Sequence, residues 1–233
     1  MIVQLRSCIL ACFCVVALAC VTFAQQSQPR SLFNGKDLEG WQGNMQYWSV
    51  QDGAITGTTT ADKPLSHNTF LVWQGGEVRN FELRLKYRIV NGNSGIQYRS
   101  KLLDPQRFIV GGYQADIDAS PRYSGILYEE RGRGILAERG ESVRINADGS
   151  KDIVGTLGDR DALQAKIKRE DWNEYRIVAK DNHLQHYING TLMSEAVDLQ
   201  KEKAAASGIL ALQLHQGPPM VVQFKDIELV ELP

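Results

Sequence analysis

The sequence predicts an all-β domain, a sandwich or barrel of short strands, and three observations lead there. Phe81, Leu83, Leu85 and Tyr87 alternate with Glu82, Arg84, Lys86 and Arg88, the period-2 pattern of a strand with one buried face. Short apolar runs recur along the chain between turn pairs such as Asp52-Gly53, Gly75-Gly76 and Asn189-Gly190. Helical character is confined to one short stretch, Asp161 to Ile167. Many short strands with little helix indicate a sandwich or barrel.

The remaining elements follow in order. Trp48-Ser49-Val50 and Ala54-Ile55-Thr56-Gly57 flank a turn and read as a hairpin. Thr69 to Trp73 is an apolar strand. After the alternating strand, Asn91-Gly92-Asn93 turns into a strand at Gly95 to Arg99, and Gly111 to Asp118 and Gly125 to Glu130 follow. Residues 131 to 165, rich in Gly and charge, read as a long excursion of the functional kind. The C-terminal strands are Tyr175 to Ala179, His186 to Ile188, Ile209 to His215 and Val221 to Leu229.

The first residues differ in kind. Arg6, the apolar run from Cys8 to Phe23 and the small residues Thr22 and Ala24 form a secretory signal peptide over residues 1–24. The expectation is an exported protein, periplasmic or secreted. A membrane anchor is disfavoured by the short run, and lipidation at Cys20 by the lack of a Leu three positions earlier. Residues 25–30 read as a linker and 31–233 as one domain. The four cysteines, Cys8, Cys12, Cys14 and Cys20, all fall in the leader, so the domain has neither disulfide nor thiolate nucleophile. With 43% hydrophobic and 23% charged residues, the domain can build an ordinary core, and a net charge of −1 offers nothing to nucleic acid. Oligomeric state is not legible.

Strand alternation sorts the polar residues by face. Leu210, Leu212 and Leu214 face one way, and Ala211, Gln213 and His215 the other. Gln114, Asp116 and Asp118 share a face, as do Gln97 and Arg99. Tyr128 pairs with Glu130, and Leu127 with Glu129. Carboxylates, a guanidinium, an imidazole and amides on one concave surface are the mixture that binds sugar hydroxyls. Polar residues are equally expected on any antiparallel sheet with one wet face. The run of Gln114, Asp116 and Asp118 is less ordinary, because two carboxylates on one face repel unless something compensates them. His183 and His186 fall on opposite faces and chelate poorly. A divalent cation on Asp116, Asp118 and Glu129 or Glu130 stays open. No phosphate loop, dinucleotide fingerprint or Ser/His/Asp motif is present.

The segments SLFNGKDLEGW, YWSVQDGAITG, NTFLVWQGGEVRNFELRLKYRI, NSGIQYRS, GGYQADID, SGILYEERGRGIL, WNEYRIVAKDNHLQHYING and GILALQLHQGPPMVVQFKDIEL resemble the 3-keto-disaccharide hydrolase domain family, from Ser31 to about Leu232. The resemblance implies a concanavalin A-like jelly roll of two antiparallel sheets. It also implies action on glycosides oxidised at C3, with no redox cofactor in that step. A C3 ketone acidifies the C2 proton, its removal expels the C1 substituent, and water adds to the unsaturated ketone. Carried over residue by residue, Asp116 and His215 are general base and acid in either order, and Arg99 steadies the enolate or orients a carboxylate. Gln97, Gln114, Asp118, Tyr128, Glu129 and Gln213 would bind hydroxyls or a cation. A non-catalytic carbohydrate-binding module and an ordinary two-carboxylate glycosidase are the competing expectations.

Overall fold

The structure, a computed structural model, describes residues 28–233; the expected leader and its cysteines lie outside the described residues. Early in the chain come β1 (Arg30–Ser31), β2 (Trp41–Gln42), β3 (Trp48–Gln51), β4 (Ala54–Thr59) and β5 (Thr69–Trp73). The central strands are β6 (Phe81–Val90), β7 (Asn93–Asp104), β8 (Ile109–Asp118) and β9 (Leu127–Glu130). Next are β10 (Gly134–Ala137), β11 (Glu141–Ile145), β12 (Lys151–Thr156) and the single short helix α1 (Arg160–Gln164). The chain ends with β13 (Asn173–Lys180), β14 (His183–Ile188), β15 (Thr191–Asp198), β16 (Ile209–Leu214) and β17 (Met220–Glu231).

These strands form two stacked sheets. One runs β12-β11-β15-β14-β13-β6-β17-β4-β3, with β1 on β17, and the other runs β10-β9-β8-β7-β16-β5-β2. The pairings are antiparallel except β11 with β15. The all-β jelly-roll expectation therefore holds. The excursion at residues 131 to 165 is more structured than its composition suggested, since it contributes three strands to the two sheets. Its glycines mark strand junctions; Gly134 and Gly140, for example, carry positive φ. Among the described residues no helix is long and apolar enough to cross a membrane.

The alternating strand buries its apolar side as expected: Phe81, Leu83, Leu85 and Tyr87 are each at most 2% exposed. From the facing sheet, Leu71, Ile96, Tyr98, Tyr113, Ala115, Leu212 and Leu214 complete the core. A buried polar contact helps to tie the layers. Tyr98 on β7 donates its hydroxyl to Nε2 of His186 on β14 at 2.9 Å, and Nδ1–H of His186 donates to the Ile126 carbonyl at 3.1 Å. Both ring nitrogens are satisfied with a neutral imidazole, and burial pushes its pKa down to about 3.

The β7–β8 hairpin breaks the regular pattern. Arg99 has φ 45°, and the β7 register slips there against both β8 and β16. A bulge of this kind re-aims side chains. Gly112 on β8 sits beside it at φ 142°, where an added Cβ would lie 2.7 Å from the Ser100 Cα. Beyond the bend the hairpin folds over the outer face of its own sheet. Val110 packs on Phe70, Val72 and Ala211, and the Phe108 carbonyl accepts the Phe70 N–H at 3.0 Å.

The bulge corrects one expectation. Arg99 does not share the outer face with Gln97. Its guanidinium is turned to the opposite side and donates to the carbonyls of Arg79 (2.6 Å), Asp181 (2.6 Å) and Ala205 (3.4 Å) and to Asn80 Oδ1 (3.2 Å). It fastens three loops and has no access to the outer face. Arg99→Met should therefore lower the unfolding free energy by about 3 kcal/mol, by leaving buried carbonyls without donors. Denaturant titration measures this, and a loss well under 1 kcal/mol would show that the carbonyls do not depend on it.

Candidate active site

The outer face of the seven-stranded sheet carries the polar residues that the core rejects. The wrapped hairpin covers one part of it. The rest is the floor of a cavity of about 960 Å³, near the upper end for small-molecule sites. Five of the expected residues line it: Asp116, Gln114, Asp118, Tyr128 and His215. They come from β8, β9 and the residue after β16, and strand pairing alone brings them together.

Asp116 is the most constrained. It is 5% exposed. Oδ1 accepts from Gln114 Nε2 at 2.5 Å and Oδ2 from Asn93 Nδ2 at 3.0 Å. Burial pushes its pKa up to about 7, against the two amide donors, with the charges of Asp118 and Glu130 adding to the rise. A carboxylate at this value can take up and return a proton near neutral pH.

The register explains how Gln114 reaches it. Gly95 on β7 lies opposite Asp116, and an added Cβ there would fall 2.5 Å from Gln114 Cδ. The missing side chain leaves room for the amide to lie across the strand. Behind Gln114 the bonds continue: Gln97 Nε2 donates to Gln114 Oε1 at 2.6 Å, and Ser100 Oγ donates to Gln97 Oε1 at 2.7 Å.

His215 holds the Gln216 carbonyl through Nδ1 at 2.5 Å, so that nitrogen carries a proton and Nε2 is the exchangeable position. Asn68 braces the same corner. Its Oδ1 accepts the Gln216 N–H at 2.9 Å and its Nδ2 donates to Glu130 Oε1 at 3.1 Å. Tyr128 has its pKa raised by partial burial and by the charges of Glu130 and Asp116, which keeps its hydroxyl protonated. Asp118 spends both carboxylate oxygens on Ser120, at 2.9 Å each, shaping the loop that walls the cavity.

Three more expected residues do not line the cavity. Gln97 is on the outer face but fully buried, and touches the site only through Gln114. Glu129 faces inward with Leu127, and its carboxylate accepts Arg133 Nε at 2.6 Å, within an ion-pair group that includes Asp198. Gln213 is fully buried on the outer face, and both amide atoms lack partners among the described residues. Of the two expected cation sets, the one with Glu129 is broken because that side chain is turned away, and Asp116, Asp118 and Glu130 all line the cavity without converging. Among the described residues no group of three or more His, Cys, Asp or Glu side chains converges to hold a metal ion.

The sequence reading missed Asn93, Asn68, Tyr123 and Arg169, which also line the cavity. Asn93 shares strand parity with Gly95 and Gln97, so extending β7 back through the turn would have found it. Asn68 likewise shares parity with Phe70. Arg169 sits on a loop between α1 and β13, where no periodicity points to it.

Several solved structures share this architecture. A candidate glycosyl hydrolase from Parabacteroides distasonis ATCC 8503 superposes with a TM-score of 0.59 at 19% identity, covering 88% of this chain and 100% of that one. The carbohydrate binding module CBM66 from Bacillus subtilis gives 0.54 at 13%, covering 82% and 96%. The Bacillus licheniformis beta-glucanase gives 0.52 at 10%, covering 91% and 100%. At such identities the likeness is one of fold. No curated protein sequence matches the chain. The family profile of the 3-keto-alpha-glucoside-1,2-lyase-like domain matches residues 28–230, nearly all of the described chain, and the protein belongs to that family.

Proposed function

We propose that this protein cleaves the glycosidic bond of 3-keto-glycosides by removing the C2 proton, with Asp116 as the base. The observation that carries this reading is a buried carboxylate on the wall of a disaccharide-sized cavity, fixed by two amide donors and raised into the neutral range. Family membership supports the class of reaction, since a 1,2-lyase eliminates across C1 and C2.

The step balances without an external oxidant. The Asp116 carboxylate takes the C2 proton, and the C2–H electron pair becomes the C1=C2 double bond as the C1–O bond breaks. The leaving oxygen takes a proton from His215 Nε2 in its imidazolium form. His215 Nε2 then takes a proton from the water that adds at C1 and Asp116 returns its proton to C2, which gives the 3-keto sugar and restores both groups, so elimination followed by hydration is a net hydrolysis. The C3 oxygen needs a donor while it carries enolate charge. With Arg99 occupied elsewhere, the protonated Tyr128 hydroxyl takes that role. The expected leader supports action outside the cytoplasm.

The first test is leaving-group release from 3-keto-trehalose and from unoxidised trehalose. Turnover of the keto sugar alone is expected; equal turnover of both would point to an ordinary glycosidase, and binding without turnover to a carbohydrate-binding module. Asp116→Asn should lower kcat by about 10²-fold or more, and His215→Ala by a similar order. Either variant at full activity would remove that residue from the chemistry. In the parent protein, the acid limb of the kcat/KM profile should have an apparent value near 7, as Asp116 becomes the carboxylate.

Stability gives an independent check. Because the folded protein holds the Asp116 proton more tightly than the unfolded chain, this group stabilises the fold most at low pH. The contribution is lost as pH rises from about 4 through 7, by up to about 4 kcal/mol. Asp116→Asn should therefore stabilise the protein increasingly across that window. Unfolding midpoints of the two proteins that stay parallel from about pH 4 to 8 would argue against a raised carboxyl.

A further inference from the structure

The proton that Asp116 accepts must reside on it between elimination and hydration. A carboxylate there suits the observed bonds, because both oxygens face amide donors. A carboxylic acid does not suit them as well. Its O–H needs an acceptor, and a buried hydroxyl without one is costly. The chain behind Asp116 supplies a remedy. Each member can serve as donor or acceptor according to its orientation, since a carboxamide presents oxygen on one side and NH₂ on the other.

We propose that Ser100, Gln97 and Gln114 form a hydrogen-bond run that reverses polarity when Asp116 takes up a proton. In the base form Ser100 donates to Gln97, Gln97 to Gln114, and Gln114 to Asp116. In the acid form the Asp116 O–H donates to Gln114 Oε1, Gln114 Nε2 to Gln97 Oε1, and Gln97 Nε2 to Ser100 Oγ. The Ser100 hydroxyl then turns to a backbone carbonyl. Two already lie within its reach, Tyr98 O at 3.0 Å and Tyr113 O at 3.3 Å. The slip in register beside Arg99 places Ser100 against both carbonyls. Ser100 and Gln97 touch no substrate in this scheme; they are positioning residues that act through Gln114. Both amides are buried, Gln97 fully and Gln114 to within 2%, so no bulk water competes for their bonds.

Other charged and titratable groups also face Asp116. Asp118 lies on its own strand, Tyr128 and Glu130 on β9, and Tyr175 in the core below. His215, Arg131, Arg169 and Glu170 stand around the same cavity. Burial raises the value at which Asp116 titrates, and Asp118 and Glu130 add to the rise. None of these groups is bonded to the Gln114 and Gln97 amides, so a response of those amides reports the run itself.

The inference deepens the reading of Asp116 as the base, and its test needs no substrate. In the full-length protein, NMR would follow the Asp116 Cγ resonance and the side-chain amide resonances of Gln97 and Gln114 from about pH 4 to 9. The Gln97 signals are identified by their loss in Gln97→Met. The expected result is that all three titrate with one midpoint. Gln97→Met takes from Gln114 a donor in the base form and an acceptor in the acid form, so the Asp116 midpoint and the acid limb of the kcat/KM profile should move by less than about one pH unit. A Gln97 amide that stays still while Asp116 titrates would overturn the proposal, whatever the protein does to 3-keto-glycosides. A failure to cleave those sugars, with the amides titrating as expected, would instead overturn only the choice of reaction.

Discussion

The guanidinium of Arg99, bonded to backbone carbonyls from three loops, is the contact on which the site depends. An arginine there cannot remain on the outer face, because the left-handed backbone at that residue and the slip in register send it to the other side. The same kink bends the β7–β8 hairpin back over the sheet. Phe70, Val72 and Ala211 are thereby buried on what would otherwise be a wet face. The uncovered part of that face is the cavity. One local strain thus separates a stabilising cation from the reacting groups and shapes the wall beside them.

Two buried titratable groups then oppose one another. His186, held neutral between Tyr98 and Ile126, contributes stability that is complete above about 6.5 and is lost as pH falls toward 3. Asp116 contributes in the opposite sense, most at low pH and least above 7. Between about pH 4 and 6.5 the two terms act in opposition, so the raised carboxyl of the outer layer offsets part of the stability that the histidine loses in mild acid. The inner layer needs its histidine uncharged, and the proposed reaction needs a carboxyl in the outer layer that changes state.

Much of this was legible in the sequence wherever the two-residue period held. The strand at Phe81, the run of Gln114, Asp116 and Asp118, and the leucine face ending at His215 all fall as their alternation indicated. The errors cluster where that period breaks. Arg99 was given the wrong face because a bulge leaves no mark in a one-residue alternation. Gln97 and Gln213 were placed on the correct face, but nothing in the alternation showed that both would be fully buried there. Glu129 carried its own warning, since it shares parity with the buried Leu127. Arg169 and Tyr123 reach the cavity from loops, where spacing carries no directional information.

The parallel pairing of β11 with β15 has a consequence for the history of such a protein. A parallel neighbour cannot be reached by a tight turn, so the chain must travel through β12, α1, β13 and β14 before it returns. That detour delivers Arg169 and Glu170 to the cavity, while Asp116 stays near the end of β8, opposite Gly95 of β7. In the proposed reaction, residues at the cavity that could meet the departing group and the carboxyl that acts on the ring therefore lie on separate stretches of polypeptide. Mutation can redraw that part of the cavity by exchange or lengthening of one connection, leaving the carboxyl and its amides untouched. A lineage built this way can acquire new leaving groups while keeping one reaction.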